Sequence, residues 1–147
     1  MYNSPHLDLK CFKSQQKKKL IVISSVFEWR NRNQSPLFRK EDYLQRVSLH
    51  TTFEELEHLS LAMNTLNPQI TTCLINCGLV YGMGEDVLFP YFKQALEQKE
   101  PLRIYGTGNN SIPMIHVDDL AQLTFDLAFS KSSGFFYACD HSSVSQK

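Results

Sequence analysis

Two short strand-like runs constrain this chain more than any other feature. Leu20-Ile21-Val22-Ile23 and Ile70-Thr71-Thr72-Cys73-Leu74-Ile75-Asn76 are rich in β-branched residues and end in polar ones. Runs of that length without alternation read as strands buried on both faces, the pattern of parallel sheets. Between them, Thr51-Thr52-Phe53-Glu54-Glu55 offers capping-box spacing twice, Thr51 with Glu54 or Thr52 with Glu55, and either places a helix start there. Phe53, Leu56, Leu59 or Ser60, and Met63 then recur at helical spacing. They predict an amphipathic helix to about Asn64 with that stripe as its core face, ended by Asn67-Pro68.

The alternation continues. Gly78 and Tyr81-Gly82-Met83-Gly84 read as a loop, and Asp86 is placed to cap a helix carrying Val87, Leu88, Phe92, Ala95 and Leu96. Leu102 to Tyr105 reads as a short strand, Gly106 to Asn110 as a turn and Ile112 to Val117 as extended chain. Asp118 or Asp119 opens a last helix through Leu120, Leu123, Phe125, Leu127 and Ala128. Ser132-Ser133-Gly134 breaks it, and Phe135 to Cys139 is a final strand. Strands alternating with helices predict an α/β layered fold with a largely parallel sheet. Such a domain normally opens with a strand, a glycine turn and a helix that hold a nucleotide. No such opening is found, so the chain reads as though it begins in mid-fold: an irregular leader over residues 1–16, then part of a larger domain over 17–147.

Composition removes several alternatives. With 42% apolar residues over 147 positions the chain can pack a core. Fifteen basic and fifteen acidic residues cancel, yet the charge is segregated. Residues 1–50 carry ten basic and four acidic groups, 10 − 4 = +6, and residues 51–147 carry five and eleven, 5 − 11 = −6. That asymmetry argues against one uniform nucleic-acid-binding surface. No apolar run approaches the roughly 20 residues that span a bilayer, and the amino terminus lacks a signal-peptide pattern. Cys11, Cys73, Cys77 and Cys139 form no CxxC pair. Free thiols point to an intracellular setting. Cys73 and Cys77, four apart in a strand, share a face, where core packing fits better than a metal site that lacks two further ligands.

Three stretches carry a resemblance. Leu79-Val80-Tyr81-Gly82-Met83-Gly84-Glu85-Asp86 resembles the "VYGPG" loop of extended short-chain dehydrogenase/reductases, the NAD-dependent epimerase/dehydratase group. Leu102-Arg103-Ile104-Tyr105-Gly106-Thr107-Gly108, followed by Ile115-His116-Val117-Asp118-Asp119-Leu120-Ala121, resembles that family's "IYGDG…FIHVDDLA" hallmark. All three occur in the family's order over roughly the last two-thirds of the chain. Lys19 to Ser25 is similar to the strand that delivers the family's catalytic Ser/Thr. The resemblance implies an incomplete Rossmann-like, doubly wound and mostly parallel sheet lacking its N-terminal nucleotide-binding strands. It places vestigial cofactor-binding positions at Ser24, Ser25, Cys77, Gly78 and Leu79. The branch of the family that the chain is most similar to implies a ciliary or flagellar setting.

The departures are as informative. There is no GxxGxxG turn to cradle a dinucleotide pyrophosphate and no GxxxxGK[ST] phosphate loop of a kinase. Four residues after Tyr2, Tyr43, Tyr81, Tyr91, Tyr105 and Tyr137 stand His6, Val47, Glu85, Ala95, Asn109 and His141, so the family's Tyr-x-x-x-Lys acid/base pair is missing. Val26 stands where a third small hydroxyl is expected, and Ile112 where the family places an arginine on the substrate diphosphate. Replacement acid/base groups among His50, His58, Glu54 and Glu57 have a spacing that suits a solvated helix face at least as well. His116 reads as an architectural residue, with Asp118 or Asp119 as a helix cap. No catalytic or metal-binding residue is assigned.

No cofactor is expected; NAD(P) binding would require N-terminal strands to be supplied. Three readings follow. The first is a non-catalytic epimerase-like structural or interaction module, with a protein partner on the basic region Lys17 to Arg46 and neither nucleic acid nor membrane as partner. The alternative is an NAD(P)-binding sugar-nucleotide epimerase/dehydratase half. The third is a fragment that does not fold alone.

Overall fold

In the computed structural model, residues 17–30, 43, 46–98, 101–104, 106–141 and 144–145 are described. The leader 1–16 and most of the excursion after Phe27 lie outside them. The elements are β1 Lys18–Ser25, β2 Trp29–Arg30, β3 Val47–Ser48, α1 Thr51–Leu66, β4 Ile70–Cys77 and β5 Leu79–Tyr81. They continue with α2 Phe89–Gln98, β6 Ser111–Ile112, β7 Met114–His116, α3 Val117–Phe129, β8 Gly134–Ala138 and β9 Val144–Ser145.

The main sheet has the order β1-β4-β8 and is parallel throughout. A second parallel pair, β5 with β7, extends beyond the carboxyl end of β4, and two short antiparallel pairs join β2 to β3 and β6 to β9. β4 is the buried centre, since every residue from Thr72 to Cys77 is enclosed. Its alternate side chains serve two cores, because successive residues of a strand point to opposite faces. Cys73, Ile75 and Cys77 pack with Leu120, Leu123 and Leu127 of α3. Leu74, one residue out of phase, packs with Leu61 of α1, Val22, Phe135 and Tyr43. The two apolar runs therefore form parallel neighbours between helices on opposite faces.

Several local expectations are corrected. β1 is half-buried rather than enclosed, because it is an edge of the described sheet, and Ile23 is 51% exposed. α1 uses neither capping box. Its N-cap is His50, whose carbonyl receives the Phe53 and Glu54 N–H groups, so Thr51 and Thr52 already lie inside the helix. The helix is also rotated. Glu57 and Ser60 are its buried residues, while Phe53, Leu56 and Leu59 are exposed. Small Ser60, bonded to the Leu56 carbonyl, and an ion-paired Glu57 let the helix lie close to the sheet, so the apolar stripe does not form the core face.

Tyr81, expected in the loop, closes the strand Leu79–Tyr81, and among the described residues 102–104 pair with no strand; Tyr105 is outside the described residues. α2 begins at Phe89, leaving Val87 and Leu88 in the preceding turn, and its leading N–H groups are taken by Glu85 instead of Asp86. α3 is capped by His116, with Asp118 and Asp119 inside its first turn.

The rotation of α1 gives a direct test. Leu74→Ala, at a fully buried position, is expected to cost about 2–5 kcal/mol in chemical denaturation. Leu59→Ala, at a position 59% exposed, is expected to stay within about 0.5 kcal/mol of the parent. Comparable losses at both positions would contradict the orientation.

Candidate functional site

In open parallel α/β sheets, ligands gather beyond the carboxyl ends of the strands. Here β1, β4 and β8 end together. Ser24 pairs with Asn76 and Asn76 with Tyr137; Ser25 pairs with Cys77 and Cys77 with Ala138. The two rows face opposite sides. By alternation from Leu74, the Ser24–Asn76–Tyr137 row lies on the α1 face, and the Ser25–Cys77–Ala138 row on the α3 face.

Three of the five sequence-predicted positions, Ser24, Ser25 and Cys77, are thus brought together. Cys77 donates its thiol to the Ser24 carbonyl at 3.2 Å, and burial pushes that thiol above its ordinary pKa, so it is a packed, protonated group rather than a nucleophile. Gly78 follows directly, its N–H on the Ala138 carbonyl at 2.9 Å. A Cβ on Gly78 would stand 2.5 Å from the Pro113 carbonyl oxygen, so only glycine lets β4 pass this close to the segment before β7. Leu79 lies one step further along, with its N–H on the Pro113 carbonyl at 2.8 Å, and opens β5. Gly78 and Leu79 thereby act as architecture, joining the main sheet to the β5–β7 pair.

Sequence reasoning missed Asn76. It is fully buried, and neither its amide nitrogen nor its amide oxygen has a hydrogen-bond partner; the neighbouring Ser24 hydroxyl is also unpartnered. Buried polar atoms left unpaired cost about 1–3 kcal/mol each, so this pair is a polar point at the sheet's carboxyl end that the described residues leave unsatisfied. The available signal was a polar residue closing an otherwise apolar run.

A second cluster stands at the ends of β5 and β7. The Tyr81 hydroxyl donates to Asp140 at 2.9 Å, and the Tyr81 and His116 rings meet edge to face at 5.2 Å. His116 accepts the Asp118 N–H on Nδ1 at 3.3 Å, the predicted architectural role, although the cap is the histidine itself. Its ring lies where a Cβ on Gly82 would sit, and Gly82 has φ +100°. The hydrogen bond to Asp140 raises the Tyr81 phenol above its usual range, with burial adding to it. Such a phenol stays protonated and is a poor base. At Glu85, burial alone would raise the carboxyl pKa, but N–H bonds from Leu88, Val87 and Phe89 outweigh it and hold the group low.

A further tyrosine is also held in place. Tyr43, almost fully buried, stacks on Phe135 at 4.2 Å, lies under the Arg46 guanidinium at 3.8 Å and donates to Glu57 at 3.3 Å. Arg46 and Glu57 pair at 2.7 Å, both buried. Burial first, then the Glu57 charge, drives the Tyr43 phenol far above its usual range. Of the replacement acid/base candidates, Glu57 is therefore consumed by a structural ion pair. His58 is exposed on α1 and His50 is its N-cap. Glu54 is half-buried in the first turn of α1.

These phenols set an alkaline prediction. Burial, with Cys139 beside it, pushes Tyr137 up to about 12 against an ordinary value near 10. A folded-state pKa raised above the unfolded one gives stability that is present below pH ~10 and lost as pH rises through ~12. The thermal midpoint should therefore fall steeply between those values, and less steeply in Tyr137→Phe. An identical fall in the variant would contradict the burial of this phenol.

Comparisons with known proteins agree with this geometry. The model of the NAD dependent epimerase/dehydratase family matches residues 9–133. Adenylate kinase 7 of Mus musculus is 32% identical across 73% of this chain and 19% of that protein. The UDP-N-acetylglucosamine 4-epimerase of Methanobrevibacter ruminantium superposes with TM-score 0.70 at 20% identity, over 88% of this chain and 43% of that one. The UDP-glucuronic acid 4-epimerase of Bacillus cereus, solved with UDP-glucuronic acid and NAD, gives 0.69 at 21%, over 94% and 45%. The chain thus spans about a fifth of its curated relative and less than half of these structural relatives. With its parallel β1-β4-β8 sheet and its matched motifs, the chain belongs to the NAD dependent epimerase/dehydratase family.

Proposed function

We propose that this chain is a non-catalytic member of its family, acting as a structural or interaction module whose partner surface is the basic region from Lys17 to Arg46. One observation carries the reading: α1, the helix that follows the Ser24-Ser25 strand, contains neither tyrosine nor lysine over Thr51–Leu66. Without a lysine to lower a phenol's pKa, the acid/base step of family-type chemistry has no group to perform it. The raised phenols of Tyr43, Tyr81 and Tyr137 support this further, since each is held in its protonated form. The charge segregation supports the choice of surface, because a +6 region of a neutral chain favours acidic partners on electrostatic grounds. The ciliary or flagellar setting implied by the sequence resemblance belongs to the same reading.

One observation favours a second reading. The unsatisfied Asn76 amide and Ser24 hydroxyl stand where open α/β sheets hold nucleotides, and NAD is present in structural relatives such as the Bacillus cereus epimerase. Under that reading the chain retains a part of a cofactor pocket.

The two readings separate in one pair of assays. Purified chain is expected to turn over no UDP-sugar in the presence of NAD or NADP, and to retain no NAD(H) in equilibrium dialysis up to millimolar cofactor. Turnover would overturn the non-catalytic reading. Retention of cofactor without turnover would favour the pocket.

A further inference from the structure

We propose that His116 is a pH-operated latch between α3 and the loop of Gly82, Met83 and Gly84. Neutral, its ring caps the helix; protonated, it releases the cap and turns to the Asp118 carboxylate. The device lies at the β5–β7 pair and depends on neither the partner surface nor a cofactor.

The geometry defines the neutral state. His116 has extended backbone, and its Nδ1 accepts the Asp118 N–H at 3.3 Å, so the imidazole is the N-cap of α3. A ring nitrogen that accepts carries no proton, which puts the single proton of the neutral ring on Nε2. Protonation turns Nδ1 into a donor, and the Asp118 N–H then loses its acceptor. A new partner for Nδ1 stands ready, because an Asp118 carboxylate oxygen is 3.6 Å away. One residue thus offers the ring two contacts, its backbone amide in the neutral state and its carboxylate in the charged one.

The surrounding charges push the charged ring the same way. The amino end of a helix is electropositive and repels an imidazolium. Among the described residues, the titratable groups facing the ring are Asp118 and Asp119 in the first turn of α3, the Tyr81 phenol at the end of β5, and Asp140 beyond β8, bonded to that phenol. The carboxylates attract the imidazolium while the helix end repels it. Both effects carry it off the amide.

The ring cannot turn alone. Its Nε2 and Cδ2 occupy the space that a Cβ on Gly82 would need. On another side it meets the Tyr81 ring edge to face, and Tyr81 is anchored by Asp140 at 2.9 Å. The yielding neighbour is the loop. Gly82, Met83 and Gly84 have φ of +100°, +56° and +73°, a run of three in the left-handed region. For Met83 that conformation is strained. The loop leads straight to Glu85, whose carboxylate holds the N–H groups of Val87, Leu88 and Phe89 ahead of α2. A ring that withdraws from Gly82 removes a contact that holds the loop, so the change at α3 is passed toward α2.

The test is a nuclear magnetic resonance titration of the full chain between about pH 8 and about pH 5.5, the interval in which histidine ordinarily changes charge. As the His116 ring resonances titrate, the Asp118 amide is expected to shift in the same step. Its solvent exchange, corrected for intrinsic pH dependence, should rise about fivefold or more on loss of the cap. The amides of Gly82, Met83 and Gly84 should shift with it. His116→Asn keeps a good N-cap acceptor that cannot be protonated, and there the Asp118 amide should hold its shift across the interval.

A ring that titrates while the Asp118 amide stays still overturns the release of the cap, and this wild-type record decides the matter even if the variant fails to fold. The same step persisting in His116→Asn overturns His116 as its origin. A moving Asp118 amide beside an unchanged Gly82, Met83 and Gly84 overturns the latch between helix and loop.

Discussion

The burial of β4 is the constraint on which the rest of the structure depends. It pairs in parallel with β1 on one side and β8 on the other, and it is covered by α1 on one face and α3 on the other. A strand so enclosed favours apolar and β-branched residues on both faces, as Ile70, Cys73, Leu74 and Ile75 show, with Thr72 and Asn76 as its buried polar members. The same enclosure requires glycine at position 78, where the chain passes against Pro113 and hands over to the β5–β7 pair. Tyr81 and His116, which meet at the ends of β5 and β7, are positioned by that handover.

Against this frame the polar chemistry divides in two. Most of it is spent on architecture. Glu57 ties Tyr43 and Arg46 to α1, Lys19 closes the carboxyl end of α3, and Glu85 and His116 close the amino ends of α2 and α3. A buried ion pair of this kind brings modest net stability, because the desolvation of both ions offsets their attraction. Its consequence here is positional: the helix face turned to the sheet carries a consumed carboxylate. What is left over at the carboxyl end of the sheet is small, the Asn76 amide and the Ser24 hydroxyl. Under the proposed non-catalytic reading, this part of the family fold is retained without the groups of an acid/base catalyst.

The sequence made the scaffold legible and the surface less so. The runs around Ile21 and Ile75, the parallel sheet they imply and the stop at Asn67-Pro68 were readable because burial on two faces leaves a composition signature. The orientation of α1 was not. Periodicity identifies Phe53, Leu56, Leu59 or Ser60, and Met63 as a stripe, but it cannot show that Ser60 rather than Leu59, together with the buried Glu57–Arg46 pair, takes the core-facing position. Helix caps were misplaced by one or two residues because Thr51, Thr52 and Asp86 have the right chemistry beside neighbours, His50 and Glu85, that have the right geometry. Asn76 reads from sequence only as the end of a strand, since nothing in a run of residues reveals whether a buried amide finds a partner.

We propose that this part of the family fold stands on the packing around β4 without a bound dinucleotide. Residue-resolved amide hydrogen exchange on the isolated chain, with and without millimolar NAD, tests it most directly. The account predicts that Thr72 to Cys77 hold the slowest-exchanging amides and that the cofactor leaves them unchanged. Exchange in β4 as fast as in the exposed α2, or protection at Asn76 and Ser24 that appears only with NAD, would contradict it.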